Sequence, residues 1–192
     1  MENDSRARMV RSAASLISSR GVSATSFTDV LADSGAPRGS IYHHFPEGKH
    51  QLAENAIQWT SERVLAYQRD YAGTTAAGVL ERFIGMWRQV VVTSQGATGC
   101  VVAGVAIDTG IGESNLIDVV RETFRSWIAL LTEQLKATGV PADRAGAIAL
   151  TTLAGMEGAL ILCRAEGDSG PLETVARELM RLLPAEAGRS EP

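Results

Sequence analysis

Hydrophobic residues recur along this 192-residue chain every three or four positions, which is the spacing of one helix face. The pattern predicts an N-terminal helix at residues 8–19 and two short helices near residues 28–34 and 38–45. Longer segments with the same period follow at residues 49–71, 75–92, 116–137, 141–163 and 170–183. Residues 100–107 are short and β-branched, a pattern that also fits a strand. The chain is therefore predicted to be all-α, with an antiparallel helical bundle as its larger part.

Capping signals mark the two short helices. Ser26 and Asp29 have the spacing of a capping box, in which each side chain bonds the other residue's backbone N–H. Gly35 ends the first short helix, and Pro37 fits the first turn of the second because an N–H there would have no helical partner. Residues 28–46 therefore have the dimensions of a helix-turn-helix.

The net charge of −4 is unevenly distributed. Residues 5–50 hold six Lys and Arg against three Asp and Glu, whereas residues 51–192 hold twelve against seventeen. Segments of this charge also occur by chance on ordinary surfaces, so the sign alone does not identify a partner. It is compatible with a DNA-binding domain at residues 1–50 joined to an acidic domain at residues 51–192.

The second short helix carries side chains suited to the major groove. Arg38 has the fork that binds guanine or phosphate, and Gly39 allows close approach of the backbone to DNA. Lys49 begins the next helix, where its ammonium group can meet a phosphate. Ile41 and Phe45 alternate with these residues and are assigned to a small core. The predicted DNA-binding residues are Ser26, Thr28, Arg38, Gly39, Ser40, Tyr42, His43 and Lys49.

Residues 25–52, TSFTDVLADSGAPRGSIYHHFPEGKHQL, resemble the DNA-binding module of the TetR family of bacterial transcriptional regulators. Shared features are the threonine-rich helix start, the glycine at the turn, the basic–Gly–small triplet and the Lys-x-x-Leu. Two features depart from the family pattern: Pro37 replaces a capping serine, and residues 45–49 are one residue longer than usual. The FP-x-GK-x-QL form, with Gly99-Cys100 later, is similar to the LmrA/YxaF-like branch.

The sequence shows no targeting or membrane segment, which favours a cytoplasmic location. The resemblance implies a homodimer that binds a double-stranded DNA operator through an N-terminal three-helix head. A small hydrophobic effector in the C-terminal body would release the palindromic operator, which makes the protein a repressor. The resemblance implies pairing of the last two helices, near residues 141–165 and 171–183, across a two-fold axis. Small residues there favour either this dimer interface or a tight core within one subunit. They are Ala145, Ala149, Gly155, Gly158 and Ala159.

A pocket for the effector is expected among large apolar side chains of the body, because aromatic rings and methionines give contact area and adaptability. The alternative is that these residues form ordinary core. The candidates are Phe83, Met86, Trp87, Phe124, Trp127 and Met156.

Other chemistry is not favoured by the sequence, so no enzyme, metal or cofactor is expected. Residues 167–171, GDSGP, resemble the surroundings of a catalytic serine, but the three histidines lie at residues 43–50, within a helical context. The uncharged run at residues 89–107 is interrupted by turn residues and is a poor membrane span. Cys100 and Cys163 lie in apolar runs, which indicates buried thiols.

Two alternative functions remain. One is a ligand-binding or enzymatic helical bundle with a vestigial DNA-binding head. The other is the same regulator responding to a protein partner in place of a small molecule.

Overall fold

The computed structural model describes residues 2–109 and 115–184, with side chains from Asp4 onward. The loose tail predicted at residues 185–192 lies outside this range. Within the described residues every regular element is an α-helix. The helices are α1 (Glu2–Arg20), α2 (Phe27–Ser34), α3 (Ser40–His44), α4 (Lys49–Arg69), α5 (Ala76–Ser94), α6 (Val101–Asp108), α7 (Leu116–Ala137), α8 (Ala142–Glu166) and α9 (Gly170–Arg181).

The predicted helices are present, with three differences. Helix α1 begins at Glu2, well before the predicted start at Arg8. Helix α3 has five residues, because Pro37–Gly39 form a turn that leads into it. The strand alternative for residues 100–107 is wrong: this segment is helix α6, which packs against α1 on one side and α7 on the other. Burial between helices explains its continuous apolar sequence.

Helices α1, α2 and α3 form a small head around a shared core. Val30, Ile41 and Phe45 are fully buried there, and Leu16 and Phe27 are partly buried against them. This is the small core that the sequence predicted. The head rests on α4, where the Arg6 guanidinium bonds the Asn55 side chain at 2.6 Å.

Helices α4 to α9 form the body. Its aromatic centre joins Phe83, Trp87, Phe124 and Trp127 through edge and tilted contacts, with ring centroids 5.8–6.2 Å apart. Helix α8 has the length and apolar composition of a membrane span, but it packs along α7 and α9 and buries nine of its residues. Those properties also belong to the core helix of a bundle.

Candidate nucleic-acid interface

The capping box predicted at the start of α2 is present. The Asp29 backbone N–H donates to Ser26 Oγ at 3.2 Å, and the Ser26 N–H donates to Asp29 Oδ2 at 2.9 Å. Arg20 adds an ion pair to the same carboxylate at 3.0 Å. Hydrogen bonds from the Ser26 hydroxyl and backbone, with help from Arg20, lower the pKa of Asp29. The Ser26 side chain therefore fixes the start of α2, a role that occupies it within the chain.

The turn between α2 and α3 is built on Gly35, whose φ of 62° lies in the left-handed region where glycine is favoured. Its N–H donates to the Leu31 carbonyl at 3.1 Å and so closes α2. After Pro37, the Ser40 hydroxyl donates to the Pro37 carbonyl at 2.7 Å. Ser40 thus uses its proton to hold the entry into α3, and its oxygen remains an acceptor.

Three of the predicted DNA-binding residues surround one surface depression of about 460 Å³ between α2 and α3. Thr28 contributes from α2, Arg38 from the turn and Tyr42 from α3. Tyr42 is 69% exposed and is held edge-on to Phe27, with ring centroids 5.6 Å apart. The structure therefore brings an arginine fork, a threonine hydroxyl and a phenol together on the outer face of the head. His43 is also exposed on α3.

Gly39 stands at the outer edge of this face, as the residue that caps α3. Its φ of −74° is open to any residue, and a Cβ built there meets no atom of the described chain within 4 Å. Neither backbone strain nor internal packing therefore requires glycine at this position. Close approach by another molecule remains a physical reason for it.

Lys49 has a different environment from the one expected. Its ammonium group donates to the Val22 carbonyl at 2.8 Å and to the Ser23 carbonyl at 3.3 Å. Two of its three donors are thus used to hold the α1–α2 turn against the start of α4. These bonds give Lys49 a positioning role in the head, which the sequence did not indicate.

The same turn is held from the body by α6. The Ser23 N–H donates to Asp108 Oδ2 at 3.0 Å. Further along α1, the Gly99 N–H donates to the Ser18 carbonyl at 2.9 Å. A Cβ on Gly104 would lie 3.2 Å from the Ile17 carbonyl oxygen, so α6 and α1 approach closely. Helix α6 therefore joins head and body alongside α4. This role was not predicted from the sequence, although the glycines at 99 and 104 were a signal for it.

The six residues predicted to line an effector pocket have two different environments in the structure. Phe83, Trp127 and Met156 are almost completely buried, and Phe124 packs on Trp127, so these four residues pack inside the body. Met86 and Trp87 do line a cavity, which lies between α1, α4, α5 and the start of α6. Residues of α1 belong to it because head and body meet there, and no periodicity within one helix could show this.

The two thiols are buried, as the sequence indicated. Desolvation raises the pKa of Cys100 well above the usual thiol value, and it also raises the pKa of Cys163. Glu157 of α8 reaches the Cys100 thiol, and burial raises the pKa of that carboxyl to about 7. These thiols are not thiolates at neutral pH.

The small residues predicted to form a dimer interface differ in their exposure within the chain. Ala145, Ala149 and Ala159 are buried within their own chain, and Gly155 lies under Val175 and Leu179 of α9. Of the five predicted positions, only Gly158 is exposed. The exposed face of α8 is the adjacent stripe, which is uncharged from Ala147 to Leu162, with exposed charged residues only near the two ends of the helix. Its members are Ala147, Leu150, Thr151, Ala154, Gly158, Ile161, Leu162 and Ala165.

Comparison with known sequences finds two family matches. Residues 10–56 match the family described as bacterial regulatory proteins, tetR family. Residues 76–178 match the C-terminal domain described as transcriptional regulator LmrA/YxaF-like. The two matches fall on the head and on the body.

Whole-chain relatives give the same result. An uncharacterized HTH-type transcriptional regulator of Mycobacterium tuberculosis is 38% identical over 94% of this chain and 95% of its own. The HTH-type transcriptional regulator LmrA of Bacillus subtilis is 29% identical, covering 94% and 97%. Among solved structures, a TetR transcriptional regulator from Legionella pneumophila aligns with a TM-score of 0.82 at 22% identity, covering 92% of this chain and 96% of that one.

Proposed function

This chain belongs to the TetR family of bacterial transcriptional regulators, and on that premise we propose that it is a homodimeric repressor which a small apolar effector releases from a palindromic operator. That it is a DNA-binding transcriptional regulator follows from its family and its relatives. The expected resemblance to the LmrA/YxaF-like branch is confirmed. The remaining elements of the proposal concern how DNA is read, how two copies pair and how the operator is released.

The observation that carries the DNA-reading part is the exposed face formed by Thr28, Arg38 and Tyr42 beside Gly39. Helix α3 would enter the major groove with its N-terminal end leading, as in other helix-turn-helix proteins. We assign base or phosphate contact by the guanidinium to Arg38, and backbone or phosphate contact to Thr28, Tyr42 and His43. The hydroxyl oxygens of Ser26 and Ser40 can also accept hydrogen bonds on this face. Lys49 holds the α1–α2 turn against the start of α4.

A single head of this size binds weakly, because three short helices offer few phosphate contacts. Two heads reading a palindrome about one helical turn apart supply the missing affinity. The pairing surface that we propose is the uncharged stripe on α8, where Leu150, Ile161 and Leu162 are each at least half exposed. Exposed aliphatic residues aligned on one helix are typical of an interface between subunits.

A cytoplasmic location and the lack of enzymatic activity complete the proposal. The relatives named here are transcriptional regulators, whose target is chromosomal DNA. The serine-containing loop at residues 167–171 lies at the C-terminal end of α8, whereas the histidines lie on α3 and in the first turn of α4. A serine nucleophile would need such a base within hydrogen-bond distance.

The test is a selection of genomic DNA fragments bound by the full-length protein, followed by an affinity measurement on the enriched fragment. We expect an inverted repeat, bound by two chains, and a fall in reporter expression when the gene is present in cells. Binding of DNA without sequence preference would contradict the proposal. A bound operator with raised reporter expression would instead identify an activator.

The alternative of a ligand-binding bundle with a vestigial head is not favoured, because the head's capping box, turn glycine and core are intact. Release by a protein partner is the second candidate. It would be recognised if cell extract dissociates the operator complex but extract cleared of macromolecules does not.

A further inference from the structure

Helix α3 is too short to hold its own direction. It has five residues, Ser40–His44, and a helix of that length is not stable in water by itself. Two side chains fix it to the core of the head: Ile41 near its start and Phe45, the residue that caps its end, and both are fully buried. The direction of α3, and with it the exposed side chain of Tyr42, therefore depends on what holds Phe45.

The Phe45 ring is held by a guanidinium group from α1. The Cζ atom of Arg6 lies over the ring, 5.6 Å from its centroid, which is within the range of cation–π contacts. The His44 ring lies edge-on to the same ring, with centroids 6.3 Å apart. The backbone N–H of Phe45 donates to the Ile41 carbonyl at 2.9 Å and so closes α3. Arg6 therefore contacts the residue that ends this helix.

The Arg6 guanidinium is itself fixed by α4. Its Nη2 donates to Asn55 Oδ1 at 2.6 Å. The Asn55 amide donates to Gln58 Oε1 at 3.3 Å, and the Gln58 amide donates to Glu54 Oε1 at 3.0 Å. These side chains form a hydrogen-bonded row on α4, and Arg6 stands at its end. Arg6 thus joins α1, the end of α3 and α4 at one point.

We propose that Arg6 is a positioning residue for DNA recognition, which holds α3 in the direction at which Arg38 and Tyr42 reach the operator. Arg6 acts through Phe45 and does not itself contact DNA. A binding element that is already held in its bound direction loses less freedom on binding, so its affinity is greater. A guanidinium suits this position, because its plane stacks on a ring while its edge donates hydrogen bonds, and an ammonium group has no such plane.

The effect on DNA rests on the proposed reading of the operator by α3, whereas the holding of α3 does not. The central variant is Arg6→Met, which keeps a long side chain beside Phe45 and removes the guanidinium. Arg63→Met is the matched control, because the Arg63 guanidinium lies over the Trp59 ring at 4.9 Å on α4. Both arginines are at least partly exposed, and circular dichroism will verify that each variant is folded.

The first measurement is amide hydrogen exchange of the free full-length protein, followed by NMR. We expect the Phe45 N–H to exchange several-fold faster in Arg6→Met, because α3 opens locally more often when its end is not held. The melting temperature should change by no more than about 2 °C. Exchange at Phe45 should be unchanged in Arg63→Met. An unchanged exchange rate at Phe45 in Arg6→Met would overturn the proposal.

The second measurement is operator affinity at several salt concentrations, by fluorescence anisotropy on the selected DNA. A partly exposed cation–π contact corresponds to about threefold in an equilibrium constant, so an operator read by two heads should bind Arg6→Met about tenfold more weakly. The dependence of affinity on salt should stay near that of the native protein, whereas loss of a phosphate contact would reduce it by about one unit for each head. Arg6→Lys keeps the charge without the plane and should recover little of the affinity.

A double-mutant cycle tests whether Arg6 acts through Phe45. Phe45→Leu removes the ring but keeps an apolar side chain in the core. If Arg6 acts on this ring, the double variant should bind the operator little more weakly than the weaker single variant, whereas independent effects would multiply. Multiplied losses would overturn the proposal. Asn55→Ala removes the anchor on α4 without touching the ring, and it should weaken operator binding in the same direction as Arg6→Met.

Other results would also overturn the proposal. They are equal operator affinity of Arg6→Met and Arg63→Met, a reduced salt dependence in Arg6→Met, and full recovery of affinity in Arg6→Lys. A lower melting temperature with unchanged operator affinity would assign Arg6 a structural role only. A native protein that prefers no DNA sequence would lose the proposed function, and the exchange rate at Phe45 would then decide by itself whether Arg6 holds α3.

Discussion

Asp108, the last residue of α6, accepts a hydrogen bond from the Ser23 backbone N–H at 3.0 Å and so joins the body to the α1–α2 turn of the head. The carbonyls of that turn, at Val22 and Ser23, accept from the Lys49 ammonium group. The turn leads directly into Ser26, which caps α2. We therefore expect a displacement of α6 to move the helix-turn-helix, because the α1–α2 turn is held by Asp108 of α6 and by Lys49 of α4.

Replacing Asp108 should loosen this segment without unfolding the protein. In Asp108→Ala the Ser23 N–H loses an acceptor on an exposed part of the chain, so the free energy of unfolding should fall by about 1 kcal/mol or less. We expect amide exchange at Ser23 and its neighbours to become faster. Asp118→Ala is the matched control, because Asp118 pairs with Arg121 on its own helix. Equal amide exchange rates at Ser23 in the two variants would contradict the role of Asp108 in holding the α1–α2 turn.

Gly39→Ala should weaken DNA binding with little effect on the stability of the protein. The added Cβ meets no atom of the described chain and the backbone is not left-handed, so the unfolding free energy should change by less than about 1 kcal/mol. Operator affinity should fall about tenfold if DNA approaches this backbone closely. Gly146→Ala provides the control, since its Cβ also enters open space, on α8. Unchanged operator affinity in Gly39→Ala would place Gly39 outside the interface.

Substitutions at Arg38 and Lys49 should produce different defects. Arg38→Ala should weaken operator binding by about 1–3 kcal/mol, with loss of preference at one base position or a salt dependence reduced by about one unit. Lys49→Gln should lower the melting temperature, because two carbonyls of the α1–α2 turn lose their donor. The salt dependence of operator binding by Lys49→Gln should stay near that of the native protein.

Tyr42→Phe, which keeps the ring against Phe27, should weaken operator binding without changing the melting temperature.

Charge placed on the exposed stripe of α8 should separate the subunits. Leu150→Glu or Ile161→Glu puts a carboxylate where we expect apolar contact with the partner, and burying it unpaired is costly. Sedimentation velocity should show monomers at concentrations where the native protein is dimeric. Val92→Glu alters a similarly exposed aliphatic residue on α5 and should leave the dimer intact. A dimer that persists in both α8 variants would exclude this face.

Glu157 should make stability depend on pH in a defined direction. Burial raises the pKa of its carboxyl to about 7 in the folded chain, above the value of 4.5 for an exposed glutamate. The folded state therefore binds more protons between these values, so the free energy of unfolding falls as pH rises from about 4.5 to about 7 and then levels off. The loss attributable to this group is at most about 3 kcal/mol. Denaturant unfolding of Glu157→Gln should lack this component of the fall, whereas Glu122→Gln, on the exposed face of α7, should keep it.

The sequence by itself determined the local structure and the family. The capping box at Ser26 and Asp29, the glycine turn at Gly35 and the head core around Ile41 depend on residues close together in the chain. Their spacing therefore predicts the helices, and it carries the resemblance to the TetR family. Helix α7 was located to the residue, because a long amphipathic period is insensitive to what packs against it.

Only the tertiary structure decided how each helix face is used. Helix α8 is apolar on most of its surface, so periodicity could not distinguish the face that α7 and α9 cover from the stripe containing Leu150 and Ile161. The cavity is made by four separate helices, and Lys49 turns inward because carbonyls 26 and 27 residues earlier fold beside it. These relationships join residues distant in the chain, and their geometry exists only after the helices have packed.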